Sequence, residues 1–437
     1  MNEKSRNIEP ETPESKQMIL TTQDIEELEM LIAGTGTMMI DWGDGTSEKF
    51  ALVDFDEDAW NKDYTESADW WKNRDKILKY GFLHVYADKS PRTVIINGEN
   101  ITHFSCDGNP LATLDVHKNT ALEKLDCNGN ELTSLNLSKN TYLKELGCCS
   151  NLLMDLDVSK NAALMVLACA NNHLTDLDVN DNTNLEYLLC DENKLTNLDV
   201  RKNTALRQLN CGKNLLTNLD TRNNNMLIHL CCEENQLTEL DLTKNTALQY
   251  LDCFSNQLTI LDVSNNIQLR ELCCSTNQIS TLKLNTQLLT LNCRSNQLSD
   301  LDVSKQTSLR RLNCSQNKLT NLDVSNNTEL TKLYCHNNQI ESLDLSKNIE
   351  LTYLDCKANQ LTSLNISNNS ELNDLYRYWQ QKLPLHCDSN VVLLKSEEEN
   401  QEILPLEIKE IKSIEIDISP FLNGLSREEL ERFLYSN

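Results

Sequence analysis

From residue 105 to about residue 375, apolar positions return in one fixed order. The stretch Leu248–Leu261, L-Q-Y-L-D-C-F-S-N-Q-L-T-I-L, is representative. Around its second leucine and its cysteine, residues alternate with a period of two. That alternation marks a short strand whose neighbouring side chains point to opposite faces. The leucine and the cysteine face a core, and the residues beside them face outward. A second apolar pair follows in each unit, as in L-T-N-L-D-V-S-N-N-T from Leu319 to Thr328, whose leucine and valine pack from the outer side of a coil.

The cysteines give the period. Cys106, Cys127, Cys148, Cys169, Cys190, Cys211, Cys232, Cys253 and Cys274 are each 21 residues apart; Cys293 follows after 19, and Cys314, Cys335 and Cys356 restore the 21. Thirteen of the 17 cysteines thus hold one structural position. Three residues after each stands an asparagine: Asn109, Asn130, Asn151, Asn172, Asn193, Asn214, Asn235, Asn256, Asn277, Asn296, Asn317, Asn338 and Asn359. Beyond a short strand the chain must turn where its backbone is buried. An inward amide, with two donors and an acceptor, can satisfy that backbone. Cysteine is small and tolerates burial, and side chains that all point one way fit disulfide torsions poorly. Free thiols are expected. The short unit keeps three residues between Leu284 and Leu288 where other units have five, so its deletion should fall in the outer loop and leave the strand intact.

A 21-residue unit of the form L-x-x-L-x-C-x-x-N-x-L-x-x-L is a leucine-rich-repeat signature. These residues resemble the internalin-type bacterial leucine-rich repeats, most closely the 21-residue subclass with a cysteine ladder. The resemblance covers residues 105–375 and implies a right-handed curved solenoid of thirteen units with one parallel β-sheet and little helix. It also implies a non-catalytic adhesion or recognition role at the cell surface or outside the cell. The opening MNEKSRNIEPETPESKQ has no apolar stretch behind a basic head. A cytoplasmic location is expected if that start is complete.

A solenoid exposes apolar faces at its ends and needs caps. Residues 1–17 are expected to be disordered. Residues 18–104 read as a small β domain, with strands at Met18–Thr22, Leu28–Ala33, Met38–Trp42 and Thr93–Asn97 and turns at Gly34-Thr35-Gly36 and Gly43-Asp44-Gly45. The segment Ile40-Asp41-Trp42-Gly43-Asp44-Gly45-Thr46, with His84 and Tyr86, resembles the β-sandwich domains called PKD-like. Asp41 and Asp44 are read as turn formers, and Trp60, Trp70 and Trp71 as packing residues. Residues 376–437 read as a short C-terminal cap, or else a partner-binding tail. They hold strands at Val391–Leu394 and Ile414–Ile418 and a capping box of Ser426 and Glu429 stapled by Leu425 and Leu430.

Composition narrows the function. The net charge of −26 argues against nucleic acid or an anionic membrane surface as partner. No run approaches the roughly 18 apolar residues of a membrane helix. There is no phosphate loop, metal-protease motif, nucleophile elbow or CxxC pair. His229 and Cys231 fall on one strand face simply because alternate residues do. Neither enzyme, cofactor nor metal is expected. Aspartate recurs at 115, 157, 178, 199, 220, 241, 262, 302, 323 and 344, a column read as turn formers and not as calcium ligands.

Function is therefore expected on the outward, concave side of the strands, with a protein or peptide as partner. Tyr187, Leu189, His229, Tyr250, Phe254, Tyr334 and Tyr353 form an apolar and aromatic strip there. Arg294, Arg311, Lys332 and Lys357 lie toward its end, and Asp107, Asp126, Glu145, Asp191, Glu192, Glu233 and Glu234 toward its start. Tyr187, Leu189, His229, Tyr250, Phe254, Arg294, Arg311, Tyr334 and Tyr353 are the candidate contact residues. The alternative is a structural spacer or self-associating element, or an activity carried by the tail.

Overall fold

The structure is a computed structural model, and it describes residues 16–57, 59, 79–372, 374–376 and 385–386. Trp60, Trp70, Trp71 and the strands, helix and cap expected beyond residue 386 lie outside the described residues. The chain divides into two compact units, one running to Leu174 and the other beginning at Thr175.

In the first unit, β1 (Gln17–Thr22), β2 (Glu27–Asp41), β3 (Ser47–Ala51), β4 (Gly81–Val85), β5 (Arg92–Ser105) and β6 (Leu111–Asp115) are joined antiparallel. The expected turn at Gly34-Thr35-Gly36 is a correction. Strand β2 runs straight through it, and the glycines sit where its register with β5 shifts. The reason is steric: a Cβ on Gly34 would stand 2.1 Å from the Asn100 carbonyl oxygen, so glycine here serves close approach of two strands and not reversal. The second glycine pair does turn, with Gly43 and Gly45 at φ 77° and 91° between β2 and β3. Asp41 and Asp44 accept hydrogen bonds from the Gly43 and Thr46 N–H groups, as turn formers do.

Strand β5 carries the chain into the repeats. Its last residues, His103–Ser105, pair in parallel with β7 (Lys124–Asp126), which pairs with β8 (Glu145–Gly147), which pairs with β9 (Val166–Ala168). On the other side β1 pairs with β6. The first asparagine of the row finds no earlier repeat, and Glu29 of β2 supplies what is missing. The Glu29 N–H donates to Asn109 Oδ1 at 3.2 Å, and Asn109 Nδ2 donates to the Glu29 carbonyl at 2.9 Å.

The second unit continues the motif in β10 (Tyr187–Leu189), β11 (Gln208–Asn210), β12 (His229–Cys231) and β13 (Tyr250–Asp252). The short pair β14 (Ile260–Asp262) and β16 (Thr281–Lys283) lies apart from this row, while β15 (Glu271–Cys273), β17 (Thr290–Asn292), β18 (Arg311–Asn313), β19 (Lys332–Tyr334) and β20 (Tyr353–Asp355) extend it. A second short pair is β21 (Leu364–Asn365) with β23 (Leu385–His386), and β22 (Asp374–Tyr376) closes the parallel row on β20. Both units contain leucine-rich-repeat solenoid, the first after its antiparallel sheet, and among the described residues helix is almost absent. The short unit behaves as its sequence predicts. Glu271, Leu272 and Cys273 face Thr290, Leu291 and Asn292 in unbroken register, and the missing residues come from the outer turn, where Leu282 and Leu284 are only half buried.

Three columns of backbone devices hold each turn. In the first, most ladder asparagines span two repeats. Asn256 Nδ2 donates to the carbonyls of Cys232, Cys253 and Phe254, and its Oδ1 accepts from the Leu237 N–H at 2.9 Å. The second column is a row of asparagines in the outer turns. Asn140, Asn161, Asn203, Asn224, Asn245, Asn266, Asn327, Asn348 and Asn369 have no exposed surface. Each donates back to the preceding unit, as Asn224 Nδ2 does to the carbonyls of Val200 and Asn203 at 2.9 Å each. The unit after the short one has Gln306 in this column, whose longer amide reaches the Asn285 carbonyl at 2.7 Å. In the third column, the residue two past each ladder cysteine is left-handed, with all thirteen φ values between 49° and 68°. Only Gly108 and Gly129 are glycines there. The kink aims that residue's N–H at the next repeat, as Thr276 donates to the Arg294 carbonyl at 2.9 Å.

Two stability measurements follow. Asn256→Ala should lower unfolding free energy by about 1–3 kcal/mol in a denaturant titration, because it strands a buried N–H and carbonyls. Thr276→Gly should raise it by roughly 0.5–1 kcal/mol, since a β-branched residue is disfavoured at positive φ and glycine is not; an unchanged or lowered midpoint would contradict the reading of that column.

Candidate functional site

The outward face of the strands is where the fold leaves side chains that it does not itself use. Leu251 and Cys253 of one unit are fully buried; Tyr250, Asp252 and Phe254 between and beside them face the other way. Parallel strands lie ~4.8 Å apart, so residues at one register position stack into columns: Gln208, His229 and Tyr250 in one, Asn210, Cys231 and Asp252 in the next.

That stacking corrects the expectation of an open strip. Leu189 is 5% exposed and Tyr250 9%; both are walled in by neighbouring columns, and they are packing residues first. His229 stacks on Tyr250 with ring centroids 5.8 Å apart, and burial lowers its basicity. Burial likewise pushes the Tyr250 hydroxyl well above its usual range and raises that of Tyr187. Tyr187, His229, Phe254, Arg294, Arg311, Tyr334 and Tyr353 are half buried and keep part of their surface in the groove. Tyr334 and Tyr353 meet at 4.5 Å. Cys149, the outward neighbour of Cys148, is buried, while Cys231 and Cys273 are partly exposed.

The charges sort along the second unit. Asp191, Glu233 and Asp252 lie on β10–β13 and the residues just after each strand; Arg294, Arg311 and Lys332 lie further along. Some expected groove charges are already satisfied. Lys213 Nζ bonds Glu192 at 2.6 Å, and Lys357 Nζ lies 3.4 Å from Asp355, which also meets the buried His336 at 3.0 Å. Among the described residues, Arg294 and Lys332 have no acidic partner.

The aspartate column on the outer turns is structural. Asp157, Asp302, Asp323 and Asp344 each accept the N–H of the serine two residues on at 2.9 Å. Those hydrogen bonds hold the carboxyls below their usual range. In the first unit, Trp42, His84 and Tyr86 form one aromatic cluster. His84 stacks on Trp42 at 4.5 Å, and its Nε2 meets Asp44 Oδ2 at 2.8 Å. The Thr46 hydroxyl and then His84 keep the Asp44 carboxyl well below its ordinary value.

The ladders and columns define a leucine-rich-repeat protein, and comparison with known proteins places it more closely. A family model described as leucine-rich repeats (2 copies) matches residues 307–348. The functional domain of InlJ from Listeria monocytogenes, which includes a cysteine ladder, is 39% identical with a TM-score of 0.60; the match covers 63% of this chain and 62% of that one. The leucine-rich-repeat protein LIC12759 of Leptospira interrogans is 26% identical with a TM-score of 0.56, over 62% of this chain and 75% of that one. A search of curated proteins gave no match. The chain is thus a leucine-rich-repeat protein similar in structure to the cysteine-ladder domain of InlJ.

Thiol chemistry tests the assignment of faces. Burial raises the Cys231 and Cys273 thiols, so even these partly exposed groups hold little thiolate near neutrality. Labelling native protein at pH 8 with a disulfide reagent should modify Cys231 and Cys273 slowly and leave Cys149 and the ladder untouched. Rapid modification of any ladder cysteine in folded protein would show that the faces are reversed.

Proposed function

We propose that the outward face of the repeats is a recognition surface for a protein or peptide, in a non-catalytic protein of the internalin type. The observation that carries this reading is the pair of half-buried cations, Arg294 and Lys332, left without acidic partners among the described residues, with Lys332 in register beside Tyr353 of the Tyr334–Tyr353 pair. Nothing in the coil needs charge at those positions, since its turns close through amides and backbone. Half-buried tyrosine and arginine are the residue types that dominate interface energetics. Leucine-rich-repeat domains commonly bind proteins or peptides, and InlJ supports the parentage. On this reading Tyr187, Phe254, Arg294, Arg311, Tyr334 and Tyr353 make contact, while Leu189, His229 and Tyr250 support them from beneath. The Trp42–His84–Tyr86 cluster favours a PKD-like character for the N-terminal strands, which serve as the upstream cap.

Truncating a central aromatic anchor commonly costs roughly 2 kcal/mol or more, about thirtyfold in affinity. Phe254→Ala, Arg294→Ala and Tyr353→Ala should therefore each reduce capture of a partner by about that factor with little change in melting. Tyr142→Ala, at a residue 66% exposed and away from the strand columns, is the control and should capture as wild type does. If all four variants behave alike, the surface lies elsewhere and the spacer reading gains.

A further inference from the structure

We infer that the outward face of β10–β13 holds a pocket for one guanidinium group, an arginine side chain of the partner, built around the Glu233 carboxylate with Gly212 beneath it and Asp191 and Asp252 on either side. This rests on the recognition surface proposed above and names part of its ligand. Residues 191, 212 and 233 follow the ladder cysteines of three successive units, and the register of β10, β11 and β12 sets them side by side. Gly212 is the one glycine in that column of thirteen. A Cβ there would stand 2.2 Å from Glu233 Oε1, so the carboxylate occupies the space a side chain would fill, and it leans toward Asp191.

Two oxygens at this place lack a donor. Glu233 is 2% exposed, yet its Oε2 has no hydrogen-bond partner, and neither has Asp191 Oδ1. The nearest cation, Lys213, is committed to Glu192 at 2.6 Å. A buried carboxylate without a donor costs more than a buried neutral amide oxygen left in the same state. The missing donor is one the chain does not supply.

The spacing selects the cation. Among the described residues no three histidine, cysteine or acidic groups converge closely enough to share a metal ion. A guanidinium is wider and planar and presents five N–H donors, so it can meet separate carboxyls at once. Burial, with each carboxyl pressing on the next, pushes Glu233 to about 7 and Asp191 to about 8. The other charges facing the pocket are Glu192, Lys213, Glu234 and Asp252, with the Cys211 and Cys231 thiols. A bound cation holds the ionised forms, so binding releases protons. A group at about 7 that must ionise should make affinity fall about tenfold from pH 8 to pH 6.

The test is calorimetric titration of the full chain with agmatine, with 4-aminobutylurea as the isostere whose head is neutral and 1,4-diaminobutane as the ammonium arm. Agmatine should bind, with proton release visible as a dependence of the heat on buffer, and should weaken as pH falls. Glu233→Gln and Gly212→Ala should each weaken it about tenfold or more while melting as wild type does; the first removes charge, and the second displaces the carboxylate without changing charge. Absence of agmatine binding at every pH, equal binding of 4-aminobutylurea or 1,4-diaminobutane, or unchanged binding by Glu233→Gln would overturn the pocket. The two proposals fail separately. If agmatine fails but Phe254→Ala still loses the partner, the surface stands without the pocket. If agmatine binds and Phe254→Ala keeps the partner, the pocket stands alone.

Discussion

Everything in this coil depends on carboxamide side chains that stand in for backbone. A turn of 21 residues contains a strand of only three, so most of its peptide groups have no sheet neighbour. An asparagine can present a donor and an acceptor with nearly the geometry of a peptide bond. Asn256 uses its NH2 on three carbonyls and its oxygen on one N–H, and the second, deeper row uses its NH2 on two carbonyls of the outer turn, as Asn224 does. Burying so many polar groups is tolerable because most of their donors are matched. The leucines supply the driving force, but they would drive a collapse of any shape; the amides specify this one. One exception shows how local the matching is. Thr221 replaces the usual valine, and its hydroxyl donates to Asn245 Oδ1 at 3.1 Å, an oxygen that most of its column leaves without a donor.

Much of this was legible in the residues and part was not, for physical reasons. The cysteine and first asparagine rows are visible because one residue type alone suits each place: a small apolar group, and an amide that reaches both ways. The second row was hidden by its neighbours. In Asp-Val-Ser-Asn-Asn the aspartate and serine do form a local turn, and nothing in composition separates the exposed asparagine from the buried one. The left-handed column was invisible for the opposite reason. Glu192, Lys213, Thr276 and Ala358 share a backbone shape but no chemistry, since the hydrogen bond they serve is made by the main chain. Strand alternation also reports direction and not crowding, so Leu189 and Tyr250 were placed on the correct face but credited with exposure they lack. The glycine that lets Glu233 lean across could be suspected only once the neighbouring units were in register.

The groove combines packing and display in the same columns. Where neighbouring side chains are large and apolar they close over one another, as His229 and Tyr250 do. Where they are long and charged, or where one is missing, polar groups remain at hand. On the proposed reading, recognition in such a sheet is composed column by column from residues whose first duty is to fit beside the strand above and below. This also separates stability from binding. The amide rows and leucines face in, and the columns of variable chemistry face out, so the groove can change while the coil is kept.

The grip of Asn109 on Glu29 has a consequence for how the coil is started. With respect to hydrogen bonds the first repeat has a predecessor: a strand from the N-terminal sheet offers the N–H and carbonyl that a repeat would have offered. The N-terminal sheet thus acts as a template for the first repeat. A chain emerging N-terminus first has its pattern of donors and acceptors laid out before the first ladder cysteine is made, and each later turn copies the one behind it. Because the copying rule is local, the number of turns is free to vary without disturbing the seal. What the N-terminal sheet fixes is the phase of the coil, and only its length is left to the repeats.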